Sequence, residues 1–230
     1  MAKLVWDQIG QKLYETGVRN CVLYPQAANG TYPQGVAWNG ITSFQETPSG
    51  ADSNPFYADD IKYLELRSAE EFGAKIEDYM YPDEWAEMDG SAEVVAGVMI
   101  GQQPRKSFGI CFRSVLGNDV SKENYGYKLH LIYNSTASPS ERSYQTINDS
   151  PEPNTFSWEI TSTPVNVTGY KPTCNITIDS TQVAADKLAL LEDKLYGTEN
   201  TDAMLPSPDE VIAILSGTSP SSSSSSSSST

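Results

Sequence analysis

Chemistry in this chain would have to start from His130, the single histidine, and from Cys21, Cys111 and Cys174. A triad needs a base beside a serine or cysteine nucleophile, and the serine usually stands on a Gly-x-Ser-x-Gly elbow. No such elbow occurs, and His130 falls on the polar side of an alternating run. The cysteines are far apart, odd in number and without metal-ligand spacing. Buried, reduced thiols acting as small hydrophobes explain them, and with one histidine they do not make a zinc site. There is no Walker loop and no Gly-x-Gly-x-x-Gly after a strand. Asp59-Asp60 and Asp83-Glu84 are acidic pairs, but surface acids beside a strand and at a helix start account for them better than acid/base catalysis does. Trp6, Trp38, Trp85, Trp158 and the 13 tyrosines could stack on sugars, although filling a core and subunit contacts is the preferred reading. No catalytic, cofactor-binding or metal-ligating residue is therefore nominated, and an enzyme is the weakest reading.

The elements that would position side chains lie mainly between Phe108 and Ile178. Phe108, Ile110 and Phe112 alternate with Gly109, Cys111 and Arg113. Tyr127, Leu129, Leu131 and Tyr133 alternate with Lys128, His130 and Ile132. Phe156, Trp158 and Ile160 form a third run, and Cys174, Ile176 and Ile178 a fourth, the latter interleaved with Asn175, Thr177 and Asp179. Period two places alternate side chains in a core and the rest in water or against a partner. Loops rich in Asn, Gly, Ser and Pro separate the runs, so an antiparallel sheet is expected, one half of a sandwich or barrel.

The 230 residues suffice for one large β domain or two small ones. A hydrophobic content of 38% supports a true core. Thirty acidic against 15 basic residues give a net charge of −15, a poor basis for gripping phosphate. The first residues lack an apolar signal core, and no run reaches the length of a membrane span. Asn-x-Ser/Thr sequons at Asn29, Asn134, Asn148, Asn166 and Asn175 read as by-products of an Asn- and Thr-rich β sequence.

In chain order, residues 1–20 read as a weakly amphipathic helix or arm ended by Gly17. Cys21 to Tyr24 is a short apolar run. Val36 to Thr47 reads as one strand, with Gly40 a bulge or close approach. Pro48 to Pro55 reads as a loop. Asp60 to Arg67 and Glu71 to Tyr79 are strands joined by a hairpin or tight corner at Ser68-Ala69-Glu70. Pro82, the following acids and Gly90 mark a short helix. Val94 to Ile100 is an apolar run. Thr181 to Tyr196 is a helix with Ala184, Leu188, Leu191 and Leu195 on one face. Ser207-Pro208-Asp209-Glu210 has N-cap chemistry ahead of Val211 to Leu215, an apolar cluster with the choice of folding back or docking on another subunit. The segment Leu205 to Leu215 is expected to bury its apolar face against another subunit, so that truncation after Gly197 would leave a folded β domain. The expected organisation is an N-terminal arm at 1–20, a β domain at 21–197 with its helix at 181–196, a C-terminal arm at 198–219 and a disordered serine-rich tail at 220–230.

Seven segments carry a family resemblance. They are Gly17 to Tyr24, Gly35 to Gly40, Tyr57 to Tyr63, Tyr81 to Trp85, Asp89 to Ala92, Gly126 to Tyr133 and Leu205 to Val211. In their order and spacing the chain resembles the major tail proteins, or tail tube proteins, of siphophages that infect Gram-positive bacteria. The resemblance implies a mainly β fold, an antiparallel β-sandwich or barrel of the tail-tube type with one flanking α-helix. It implies homo-hexameric rings stacked into a tube whose lumen conducts DNA during ejection, without sequence-specific binding. It further implies a virion component made in the host cytoplasm, a tape measure protein inside the tube during assembly, and a tail terminator and distal tail protein at its ends. No membrane, cofactor or catalytic residue comes with it. Six copies would carry about −90 per ring before counterions, which would let DNA slide. Basic residues on the bore, with Arg113 and Lys128 among the candidates, are then expected to be outnumbered by acids and paired with them. A carbohydrate- or receptor-binding β module is the alternative.

Overall fold

The computed structural model describes residues 3–147, 149 and 152–217. The expected serine-rich tail at 220–230 lies outside the described residues, as do Met1, Ala2 and the sequon asparagine Asn148. Strands β1 (Leu13–Pro25), β2 (Val36–Trp38), β3 (Ile41–Glu46), β4 (Ser49–Gly50), β5 (Ser53–Ala58), β6 (Ile61–Arg67) and β7 (Glu70–Asp78) precede a short helix, α1 (Trp85–Asp89). Strands β8 (Ala92–Val95), β9 (Val98–Ile100), β10 (Phe108–Asn118), β11 (Lys122–Ala137), β12 (Phe156–Ser162) and β13 (Asn175–Asp179) follow. Helices α2 (Ala185–Tyr196) and α3 (Pro208–Ser216) close the described chain.

The main sheet is antiparallel, in the order β2-β1-β10-β11-β12-β7-β3, and curls into a half-barrel. The four alternating runs become β10 to β13. Strand β11 carries two partners on the side away from β10: Lys128 to Ile132 pair with β13, and Ser135 to Ala137 pair with β12. The hand-over falls at Asn134, whose φ of 47° is left-handed. Asparagine tolerates this conformation better than other non-glycine residues.

Strand β10 shows why the sheet needs two cores. Phe108, Ile110 and Phe112 face a cluster inside the curl, with Trp38, Trp85, Trp158 and Ile76. Cys111, on the other side, joins a second cluster with Leu129, Leu131, Tyr133 and Ile178 under the helices. Leu188, Leu191 and Leu195 of α2 supply the cover, on the face their spacing predicts. Ser207 accepts a hydrogen bond from the Glu210 amide as the N-cap of α3, and Pro208 occupies the first turn.

Several local expectations change. Gly17 does not end a helix or arm: β1 runs through it from Leu13, because β10 offers a ladder on both sides of the glycine. Val36 to Thr47 is two strands. At Gly40 (φ 92°) the chain passes close to the Met80 backbone, as the glycine suggested, and then leaves β1 to pair with β7. Pro48 to Pro55 holds β4 and the start of β5, and β6 pairs with β5 rather than β7. Ser68-Ala69 is therefore a corner. Val94 to Ile100 is split at Ala96-Gly97 into the β8–β9 hairpin. Helix α2 begins at Ala185, not Thr181, because the Asp179 carboxylate accepts from Thr181 N and Oγ1 and holds a turn there. The Val211 to Leu215 cluster folds back: Val211 and Leu205 are buried in the second core, and Lys194 of α2 pairs with Glu210.

Candidate functional site

The residues with chemical potential separate into three settings. Cys21, Cys111 and Cys174 are free and buried, and burial pushes each thiol up, so none is an activated thiolate. Asp59 and Asp60 both have positive φ and form the two-residue turn of the β5–β6 hairpin, while Asp83 and Glu84 lead into α1. Trp38, Trp85 and Trp158 pack against one another in the inner core, with Trp38 and Trp85 centroids 4.6 Å apart. Trp6 alone among the tryptophans is exposed.

His130 is the exception that the sequence pattern did not reveal. It stacks on Phe112 at 4.6 Å and meets Ser114, with Nε2 2.9 Å from Oγ. Ser114 donates to Glu15 Oε1 at 2.5 Å, and Lys128 donates to Glu15 Oε2 at 2.5 Å. Burial lowers the imidazole's affinity for a proton; Glu15 and Glu46 oppose this without overcoming it. Burial pushes Glu15 up, but the Lys128 and Ser114 hydrogen bonds outweigh it and hold the carboxyl below its ordinary range.

Ser, His and Glu thus meet, yet not as a triad. In a triad the carboxylate orients the ring through the nitrogen remote from the serine. Here Glu15 lies on the serine side, 3.4 Å from Nε2, and Nδ1 has no hydrogen-bond partner among the described residues. Ser114 is buried and its proton is committed to Glu15. The signal that could have found the cluster is weak: Ser114 and His130 lie on adjacent alternating strands, but Glu15 lies 99 residues from Ser114.

A second feature is surface that the chain leaves uncovered. The β5–β6 hairpin projects with Tyr57 69%, Ile61 65% and Tyr63 72% exposed, beside exposed Phe56 and Leu66. The β8–β9 hairpin exposes Val94, Val95, Val98 and Met99, and the segment before β1 exposes Leu4, Val5, Trp6 and Ile9. Strand β1 is also half open. Residues Leu13 to Thr16 pair with β10, whereas β2 covers only Cys21 to Leu23 of the other edge. Exposed apolar side chains grouped on a hairpin and a strand edge without a ladder partner are both features of association surfaces. The electrostatic frame is acidic, and basic residues are largely paired: Arg113 with Glu192 at 2.5 Å, Lys128 with Glu15, Arg19 with Glu123 at 2.8 Å. Among the described residues no group of three or more His, Cys, Asp or Glu could hold a metal ion, and no helix is long and apolar enough to cross a membrane.

No family model matches the chain, and no curated protein matches it. Among solved structures, it is similar to the sheath/tube terminator of an extracellular contractile injection system (PVC) in the extended state, at 8% identity and TM-score 0.33, covering 76% of this chain and 99% of that one. A chain of the sheath–tube complex of that system is similar at 11% identity and TM-score 0.31, covering 70% of this chain and 88% of that one.

Proposed function

We propose that this chain is the tube subunit of a long non-contractile phage tail, forming hexameric rings that stack around a DNA-conducting lumen. The observation that carries the reading is the β5–β6 hairpin. It is a pair of strands rich in Phe, Tyr, Ile and Leu that leaves Tyr57, Ile61, Tyr63 and Leu66 mostly exposed and buries none of its large apolar side chains fully. Such a surface is costly in water and is stabilised when a neighbour covers it, at roughly 25 cal/mol per Å². The open edge of β1 supplies a second contact, since pairing it with a neighbouring sheet removes unpaired backbone groups. The seven sequence segments that resemble siphophage tail tube proteins add the family context.

In this reading the residues before β1 act as an arm between subunits, and a tape measure protein, a tail terminator and a distal tail protein are further partners in the virion. The role is structural rather than enzymatic. Negative-stain microscopy of the purified full chain tests it. Rings or tubes of uniform diameter are expected. Dispersed monomers at every concentration, with affinity for a glycan, would instead make the chain a carbohydrate- or receptor-binding module.

A further inference from the structure

The first half of β1 is fastened to the sheet separately from the second. Its ladder to β10 pairs Leu13–Thr16 with Asn118–Val115, then breaks between Thr16 and Arg19 and again between Arg19 and Val22. Gly17 (φ 74°) and Asn20 (φ 52°) lie at the breaks, so the ladder at Leu13–Thr16 is separate from the one at Val22 to Tyr24. The chain just before Leu13 is tied to the β10–β11 turn, where the Gly10 amide donates to Asp119 and Asn118 Nδ2 donates to the Gly10 carbonyl. The Tyr14 ring lies against Gly117, where an added Cβ would stand 2.3 Å from Tyr14 Cζ. Glu15 reaches across β10 to Lys128 and His130 on β11.

We propose that Glu15, Ser114, Lys128 and His130 form a proton-sensitive latch that holds the Leu13–Thr16 half of β1, and with it the open edge, against the sheet. Ser114 has one proton, and it goes to Glu15. The serine oxygen must therefore accept from His130, which places the imidazole proton on Nε2 and leaves Nδ1 bare. A second proton would have to sit on Nδ1, which is buried with no acceptor among the described residues. An N–H buried without an acceptor loses its water bonds and gains nothing.

The charged groups facing the ring are Glu15 from β1, Glu46 from β3 and Lys128 on its own strand. Phe112 and Ser114 of β10 and Thr177 of β13 are its uncharged neighbours. The two carboxylates favour the imidazolium, but burial wins and the ring stays less basic than the ordinary 6.5. Opening the latch lets the imidazole reach water and take up a proton. The latch therefore weakens as pH falls through the ordinary histidine value, and weakens again as Glu15 is protonated. The consequence for ring assembly rests on the tube reading; the latch itself does not.

Backbone amide exchange at Leu13–Thr16 tests it, on the full chain in the unassembled fraction from gel filtration, with rates corrected for the intrinsic effect of pH. Protection should fall severalfold, up to about tenfold, between roughly pH 7.5 and roughly pH 5.5, tenfold being the limit for uptake of one proton by an exposed histidine that the closed latch leaves neutral. Amides of Val22–Tyr24 should stay protected throughout. His130→Gln keeps a side-chain N–H donor but does not titrate, and should abolish the pH dependence. Glu15→Gln should lower protection at both pH values. Unchanged wild-type protection between the two pH values, the same fall in His130→Gln, or wild-type protection in Glu15→Gln would each overturn the latch. Microscopy of tubes reads the assembly separately, so the two readings fail independently.

Discussion

Asp78 shows how one side chain can work against the fold it belongs to. It is buried at the end of β7, accepts the Trp38 indole N–H at 2.7 Å through one oxygen, and has no partner among the described residues for the other. Burial pushes its carboxyl up to about 6, and the Trp38 hydrogen bond only partly opposes this. The folded state therefore binds the proton more tightly than the unfolded chain does. Stability from this group is greatest at low pH and falls as pH rises from the ordinary carboxylate value through about 6. Relative to Asp78→Asn, the wild type should lose at most about 1.4 kcal/mol per pH unit across that window, read by denaturant unfolding at several pH values. Trp85 belongs to the same core, with Trp158 at 5.3 Å and Phe108 at 4.9 Å. Trp85→Ala should cost about 3–5 kcal/mol in the same assay, because the surrounding rings cannot collapse into the space.

Among the elements, α3 departs furthest from its sequence reading. Its apolar cluster, beyond the last expected core helix, is expected from the sequence to bury its face against another subunit, and it folds back instead. Leu205 and Val211 fill the second core, Tyr133 donates its hydroxyl hydrogen to the Pro206 carbonyl, and Lys194 pairs with Glu210. Truncation after Gly197 should therefore uncover Leu131, Tyr133 and Leu195 rather than release an intact β domain. A broadened thermal transition and strong binding of a hydrophobic dye are expected; a sharp wild-type melt would contradict the packing. Ser207→Ala should be milder, about 1 kcal/mol, since it removes only the cap on the Glu210 amide.

For the molecule as a whole, the β5–β6 hairpin separates folding from association. Its side chains support little else in the chain. The double variant Ile61→Asp with Tyr63→Ser should change monomer stability by less than about 0.5 kcal/mol. Assembly is expected to be lost, with melts unchanged and no tubes on the grid. Net charge acts at the same scale. Copies carrying −15 each repel, so assembly of the wild type should speed up as salt shortens the screening length, measured by light scattering against ionic strength.

Periodicity was enough to locate β10 to β13, to orient the Leu188, Leu191 and Leu195 face of α2 and to cap α3 at Ser207. These signals are local: an alternating strand or a helical stripe announces its own faces. Tertiary structure alone decided what each face meets. Phe112 and Cys111 are equally apolar neighbours, yet one enters the core inside the curl and the other the core beneath the helices. The apolar residues of β5–β6 look in sequence like those of β10, but one set is exposed and the other buried, because a strand's composition does not name the layer that will cover it. Glu15, Ser114 and His130 come together only because β1 and β11 flank β10 in the sheet. That adjacency is set by which long-range pairings bury the most apolar surface and leave the fewest backbone groups unpaired, a property of the whole chain that no local window contains.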